Sequence, residues 1–336
     1  MPHKTPSWWY SSGMVSSGLG FCLMPLSLLQ TFAVKTRWAV THPYHSKLPV
    51  ICIGNFTMGG AGKTPMALFL AKYLKEQGQR PIFLTRGYGG QIQGPHLVTE
   101  KDIAQDVGDE PLLLARQAPC VVCANRQKGA QFIETLNTYN PSIIVMDDGF
   151  QNPTLYKDLN IIVVDTNMAF GNGLVFPAGP LRAPLDFQIQ KADLFVIIHQ
   201  KTPSPLQYQM DQPVCHAALS PCKQKTTLQN KNVIAFCGIA RPEKFYTTLH
   251  DMGADPIQQH SFPDHHNLSA GEAEMLLLEA TSNNARLVTT EKDWVRLSDK
   301  REPFSSLKSE ALPIKVSLFF DDDNLEILTN SLRAIY

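Results

Sequence analysis

Apolar positions along this chain fall into three kinds of run. The first kind is short, unbroken and rich in Val and Ile. Residues 50–53, 82–85, 120–124, 142–146, 160–165 and 192–199 have this form, the signature of strands buried on both faces. The second kind repeats at helical spacing. Ala67, Leu68, Leu70, Ala71 and Leu74 predict a helix over 66–79, with Gly78 suited to its C-terminal end. Strands alternating with such helices predict a doubly wound, mostly parallel α/β sheet. After 201–213, where Pro203, Pro205 and Pro213 mark a linker, a second and smaller α/β pattern begins. It has strands at 232–239 and 286–290 and a helix at 245–252. Residues 214–219 and 314–320 alternate enough to be two further strands, expected as a ribbon joining the domains.

The third kind is the N-terminal run, which carries no charge between Lys4 and Lys35. Trp8, Trp9 and Tyr10 open it, and Lys35 and Arg37 follow it. A cleaved signal peptide fits poorly, because the basic region is thin and no small-residue cleavage site follows. A spanning helix fits the length, but Ser16, Ser17, Pro25 and Ser27 weaken it. A helix in the membrane interface fits better: Leu19, Cys22, Leu23, Leu26, Leu29 and Ala33 recur at helical spacing, with Ser17, Gly20, Ser27 and Thr31 opposite. The alternative is an apolar helix packed on the protein's own core. The expected organisation is residues 1–40 as a membrane-associated helix, 41–212 as a nucleotide-binding domain and 213–336 as a smaller C-terminal domain with linker strands.

Composition narrows this picture. Lys plus Arg and Asp plus Glu balance at 30 each over 336 residues, so no global field argues for nucleic acid. Seven Cys at irregular spacing read as reduced thiols. Cys120 and Cys123 lack a second pair and lie in a strand, which argues against zinc.

Candidate chemistry clusters at strand ends. The run PVICIGNFTMGGAGKTP at 49–65 passes from a strand through a glycine loop into a helix. That is a P-loop: backbone N–H groups turn toward phosphates, Lys63 reaches the β/γ-phosphates and Thr64 meets Mg²⁺. Thr57 stands where the pattern G-x-x-x-x-G-K-S/T has its first Gly. Four apolar residues followed by Asp147 and Asp148 match the metal-holding Walker-B strand. The loop Arg86-Gly87-Tyr88-Gly89-Gly90 ends another strand, where ligands bind in open α/β sheets, although a plain turn would read the same. Asp109, before Glu110 and Pro111, is expected to be a helix N-cap, the alternative being an acid that meets Mg²⁺ or takes a proton from a hydroxyl. Arg182 ends a loop of fixed Gly/Pro geometry and is either a phosphate ligand or an ordinary surface Arg. His260, Asp264, His265 and His266 make either a His–carboxylate base or a surface cluster.

Together these pieces resemble one family, the tetraacyldisaccharide 4'-kinases of lipid A biosynthesis. The resemblance rests on Gly54-Asn55-x-Thr57-x-Gly59-Gly60-x-Gly62-Lys63-Thr64-Pro65, Arg86-Gly87-Tyr88-Gly89, Gly108-Asp109-Glu110-Pro111 and Asp147-Asp148-Gly149-Phe150-Gln151. It continues through Phe170-Gly171-Asn172-Gly173, residues 177–182, Phe262-Pro263-Asp264-His265-His266 and Thr289-Thr290-Glu291-Lys292-Asp293. It accounts for Thr57, since the family carries Thr or Ser there. It implies transfer of the ATP γ-phosphoryl group to the 4'-hydroxyl of a tetraacyl-disaccharide 1-phosphate, on the cytoplasmic face of the inner membrane, with no obligate protein partner. It implies ATP held by Thr57, Met58, Gly59, Gly60, Ala61, Gly62, Lys63 and Thr64, and Mg²⁺ near Thr64, Glu110, Asp147 and Asp148. Asp109 corresponds to the base and His265 to its dyad partner, with Lys63 also catalytic. Asn55, Arg86, Tyr88, Arg126, Gln151 and Arg182 correspond to residues near substrate. Two positions depart from the pattern: Ala183 where many members have Glu, and Asn152 where many have His. The alternative is a P-loop GTPase or ATPase acting as a switch or metal chaperone. Guanine recognition needs N-K-x-D, and Asn230-Lys231-Asn232-Val233 lacks the Asp.

Overall fold

Six apolar runs become neighbouring parallel strands in a computed structural model that describes residues 6–10, 14–199, 210–222, 228–229, 231–297 and 301–336. They are β1 (Val50–Gly54), β2 (Pro81–Thr85), β4 (Cys120–Val122), β5 (Ile143–Asp147), β6 (Leu159–Asp165) and β7 (Leu194–His199), with β3 (His96–Leu97) antiparallel beside β4. β8 (Val214–Pro221) extends the sheet beside β7. A smaller parallel sheet holds β9 (Val233–Cys237), β10 (Gln258–Ser261), β11 (Arg286–Thr290) and β12 (Leu312–Ile314) in the order β10-β9-β11-β12. The chain then returns as β13 (Val316–Phe319), antiparallel to β8 at the far edge of the larger sheet. The expected ribbon strands are thus this edge, and residues 213–336 contribute to both sheets. The linker at 201–213 lies mostly outside the described residues.

Unbroken apolar runs are required because both faces of the larger sheet are covered. Ile51, Ile53, Val145 and Val163 pack on one face under α2 (Lys63–Glu76), against its Met66, Leu70 and Leu74. Cys52, Ile144, Met146 and Val164 point the other way, onto Phe56, Phe150 and Phe195. Each fully buried Ile or Leu side chain contributes about 1.5–3 kcal/mol. β1 lies between β5 and β6, so the winding reverses there. Ligands bind at the strand C-termini of such a switch point.

α1 (Met14–Val40) precedes β1, and α3 (Ala104–Val107), α4 (Asp109–Ala115), α5 (Arg126–Ile133) and α6 (Leu185–Ile189) lie between strands of the larger sheet. α7 (Pro242–Asp251), α8 (Ala270–Ser282), α9 (Glu291–Arg296) and α10 (Phe304–Glu310) belong to the smaller one, and α11 (Asp322–Arg333) packs Leu328 and Leu332 into the larger core.

α1 turns small and polar positions toward the protein and large apolar ones outward. Among its residues 18–40 the buried positions are Gly20 and Ser27, while Phe21, Leu28, Leu29 and Phe32 are exposed, Phe32 by 71%. The Ser27 hydroxyl donates to the Val175 carbonyl at 2.7 Å and accepts the Ala178 N–H at 3.0 Å. The apolar face is therefore not spent on the protein's own core. The loop at 170–182 that receives Ser27 also grips the P-loop: the Met58 N–H donates to the Pro180 carbonyl and the Arg182 N–H to the Phe56 carbonyl.

Candidate active site

The glycine loop closes at Gly62, which is left-handed at φ 92° and caps α2. A Cβ there would meet only the movable end of the Ile198 side chain at 2.5 Å, so it is the left-handed conformation that calls for glycine. Lys63 therefore begins the helix, three residues before the predicted start. Thr57 has no positive φ and forms an isolated bridge with Leu181, so nothing at this position calls for glycine. Asn55 is 1% exposed and braces the loop from inside. Its amide donates to the Thr57 carbonyl at 2.8 Å, and its carbonyl accepts Lys63 Nζ at 3.1 Å.

One acid cluster stands beside this cradle. Asp148 accepts Arg182 Nη1 at 3.0 Å and lies 3.6 Å from Lys63 Nζ. These cations hold its carboxyl down at about 2, against the cost of burial. Arg182 also donates to the Thr57 carbonyl at 3.1 Å and to Gln151 at 3.2 Å, and Gln151 donates to the Asn55 carbonyl at 2.7 Å. Asp147, at the very end of β5, is 1% exposed, and its Oδ1 lacks a partner among the described residues. Burial, then the charges of Glu110 and Asp148, push its carboxyl up to about 7. Glu110 Oε1 accepts the Thr64 hydroxyl at 3.4 Å. The orphaned Asp147 oxygen and the Thr64–Glu110 pair are oxygen donors of the kind Mg²⁺ takes, while no three acids among the described residues converge on one point.

A second cluster joins the two sheets. Asp109 is the first residue of α4, yet its side chain caps nothing; Gly108 is the N-cap, at φ 90° with Tyr88 O 2.5 Å from where a Cβ would stand. The N-cap reading is thereby corrected: a cap oxygen must fold back on its own helix, and this carboxylate turns away to the smaller sheet. Its Oδ2 accepts Arg296 Nη2 at 2.7 Å and Nε at 3.1 Å, and lies 3.3 Å from His265 Nδ1. None of these contacts falls on Oδ1. The His265 hydrogen bond and the Arg296 charge outweigh burial and hold the Asp109 carboxyl far below the usual carboxylate range. Asp109 in turn raises the His265 imidazole. His265 is left-handed, φ 58°, the kind of strain that collects at functional sites. Lys292 Nζ meets Glu110 Oε1 at 2.6 Å, and charge attraction to Lys292 leads the causes that lower the Glu110 carboxyl.

The resemblance noted above now has independent support. A family model described as tetraacyldisaccharide-1-P 4'-kinase matches residues 19–333. The chain belongs to this family. A tetraacyldisaccharide 4'-kinase of Allorhizobium ampelinum is 42% identical over 333 residues, 96% of this chain and 94% of the relative. One of Bradyrhizobium diazoefficiens is 40% identical, covering 95% and 93%. Among solved structures, LpxK from Aquifex aeolicus in complex with ATP superposes with a TM-score of 0.75 at 26% identity, covering 95% of this chain and 100% of that one.

Within the family frame, the remaining sequence-predicted residues fall as follows. The exposed Tyr88 ring stands 5.7 Å from the His265 ring, edge to face. Arg86 is exposed beside it. Arg126 is 2% exposed, donating to the Cys123 carbonyl at 2.8 Å and reaching the Asp148 carbonyl at 3.5 Å. His260 and His266 pair with Glu279 and Glu272 instead of joining His265. Asn152 closes a local turn on Thr154, and Ala183 is buried, its carbonyl accepting Gln188. Sequence reasoning gave no role to Arg296 or Lys292. Lys292 stands two residues after the strand ending in Thr289-Thr290, and Arg296 one helical turn further along α9.

Proposed function

We infer that the chain is an ATP-dependent kinase that transfers the γ-phosphoryl group to the 4'-hydroxyl of a tetraacyl-disaccharide 1-phosphate, a lipid A precursor. The observation that carries this reading is the meeting of two clusters at the strand C-termini: a phosphate cradle on the larger sheet and an ionised acid–histidine pair tied to the smaller one. Phosphoryl transfer through a loose transition state needs positioning and charge neutralisation above covalent help.

Each residue then has a task. The loop from Thr57 to Thr64 wraps the nucleotide phosphates, and Lys63 and Arg182 offset the charge that builds on the transferring group. Thr64, Glu110, Asp147 and Asp148 would hold Mg²⁺, which would neutralise phosphate charge when bound. Asp109 accepts the proton of the acceptor hydroxyl through Oδ1 while Arg296 and His265 fix its orientation from Oδ2. A carboxylate so depressed is a weak base, and the small demand for base strength in a loose transition state makes orientation its larger contribution. Tyr88, Arg86, Arg126 and Gln151 line the acceptor side. The exposed apolar face of α1 sits in the inner-membrane interface on the cytoplasmic side, where the acceptor's acyl chains are anchored. Lys157 and Lys191, both within 5 Å of the Trp38 ring, add positive charge at the helix C-terminal end.

The test is ATP consumption with and without the lipid disaccharide, with ³¹P NMR locating the new phosphate. Lipid-dependent turnover and a phosphomonoester at the 4'-oxygen are expected. Nucleotide hydrolysis indifferent to lipid would overturn the reading in favour of an ATPase switch.

A further inference from the structure

Two neighbouring acids open α4, and each takes a cation from α9: Arg296 on Asp109 and Lys292 on Glu110. The two ties differ. Arg296 is nearly buried and binds through two nitrogens of a rigid fork. Lys292 is a compact charge on a flexible stem, with 31% of its side chain exposed, and its Nζ meets Glu110 at Oε1. That same oxygen receives the Thr64 hydroxyl at 3.4 Å. A divalent cation bound between the Thr64 hydroxyl and Glu110 Oε1 would lie against the ammonium, because its ligand oxygens must approach to about 2.0–2.1 Å. Two cations cannot share one carboxylate oxygen at such range without strong repulsion.

We propose that Lys292 is a tethered stand-in for the metal: its ammonium guards Glu110, and the divalent ion gains the site by displacing it. The inference rests on the placement of Mg²⁺ at Thr64 and Glu110 argued above. The ion alone competes poorly with a tethered charge already in place. Nucleotide phosphates bring the negative charge that accommodates Lys63, Lys292 and the metal together, so metal and nucleotide load as a unit. Loading also releases one of the two cation ties between α9 and α4, while Arg296 keeps its hold on Asp109.

The experiment titrates Mn²⁺, followed by EPR, into the full-length protein in detergent without nucleotide. Wild type is expected to bind weakly, Lys292→Gln about tenfold more tightly, and Lys292→Arg as weakly as wild type. Should Lys292→Gln fail to fold, Lys292→Met carries the same expectation. Equal or weaker Mn²⁺ binding in the neutral variant overturns the proposal. Glu110→Gln, titrated with Mn²⁺ and a non-hydrolysable ATP analogue, separates the two layers. A weakened Mn²⁺ affinity there supports the metal's placement, so an unchanged Lys292→Gln then overturns the Lys292 inference alone. An unchanged Glu110→Gln overturns the placement itself.

Discussion

The two charged clusters of this site are built in opposite ways. Around Asp148 the partners come from a single sheet and its loops, and the brace between Asn55 and Lys63 spans eight residues. Around Asp109 the acid sits on the larger sheet while Arg296, 187 residues further along, arrives from the smaller one. The first cluster is complete once one sheet has folded. The second exists only when both sheets have folded and met. On the proposed function, binding the nucleotide and orienting the acceptor would be divided between a local structure and an assembled one. The division predicts that the two functions separate under mutation.

The largest combined effect, on turnover and ATP binding together, is expected on the local side. Lys63→Ala removes the cation that faces Asp148 and the transferring phosphate, and should lower kcat by about 10²–10³ and weaken ATP binding with it. Asp147→Asn should lower turnover comparably while stabilising the fold. Because this acid's folded pKa is raised to about 7, its ionised form costs stability above that value, and the cost fades as pH falls toward the unfolded value. The variant's Tm should therefore exceed wild type by about 2–5 °C at pH 8, and the gap should close by pH 4. A variant less stable than wild type at pH 8 would contradict the orphaned-oxygen account. On the assembled side, loss of the Arg296 tie has a smaller effect on chemistry than loss of the acid it holds. Arg296→Met leaves Asp109 with His265 alone and takes the guanidinium from the buried Asp293 as well, so unfolding should cost about 3 kcal/mol less, kcat should fall about tenfold, and KM for ATP should hold. A rise in that KM instead would tie the bridging cluster to nucleotide binding and dissolve the comparison.

The same division decides what the chain reveals before it folds. The larger sheet was legible because its strands are unbroken apolar runs and its cradle is contiguous, from Gly54 to Thr64. β10 was not, since all four of its residues are polar and its half-buried positions, Gln258 and His260, alternate with exposed ones. α8 passed unnoticed although Ser269 and Glu272 form a capping box, a signal readable three residues apart. Asp109 was misjudged for a physical reason. An acid before Pro111 at a helix start satisfies every local rule for a cap, and only the approach of Arg296 and His265 from the other sheet gives the carboxylate a different partner. Family resemblance, which samples the whole chain, supplied the pairing of Asp109 with His265 that local pattern could not.

The most direct test of this separation is Asp109→Asn, assayed for ATP affinity by calorimetry and for lipid phosphorylation by rate. ATP affinity within about twofold of wild type, with kcat lower by about 10²–10⁴, is the predicted result. Wild-type kcat, or a loss of ATP affinity matching the loss of turnover, would contradict it.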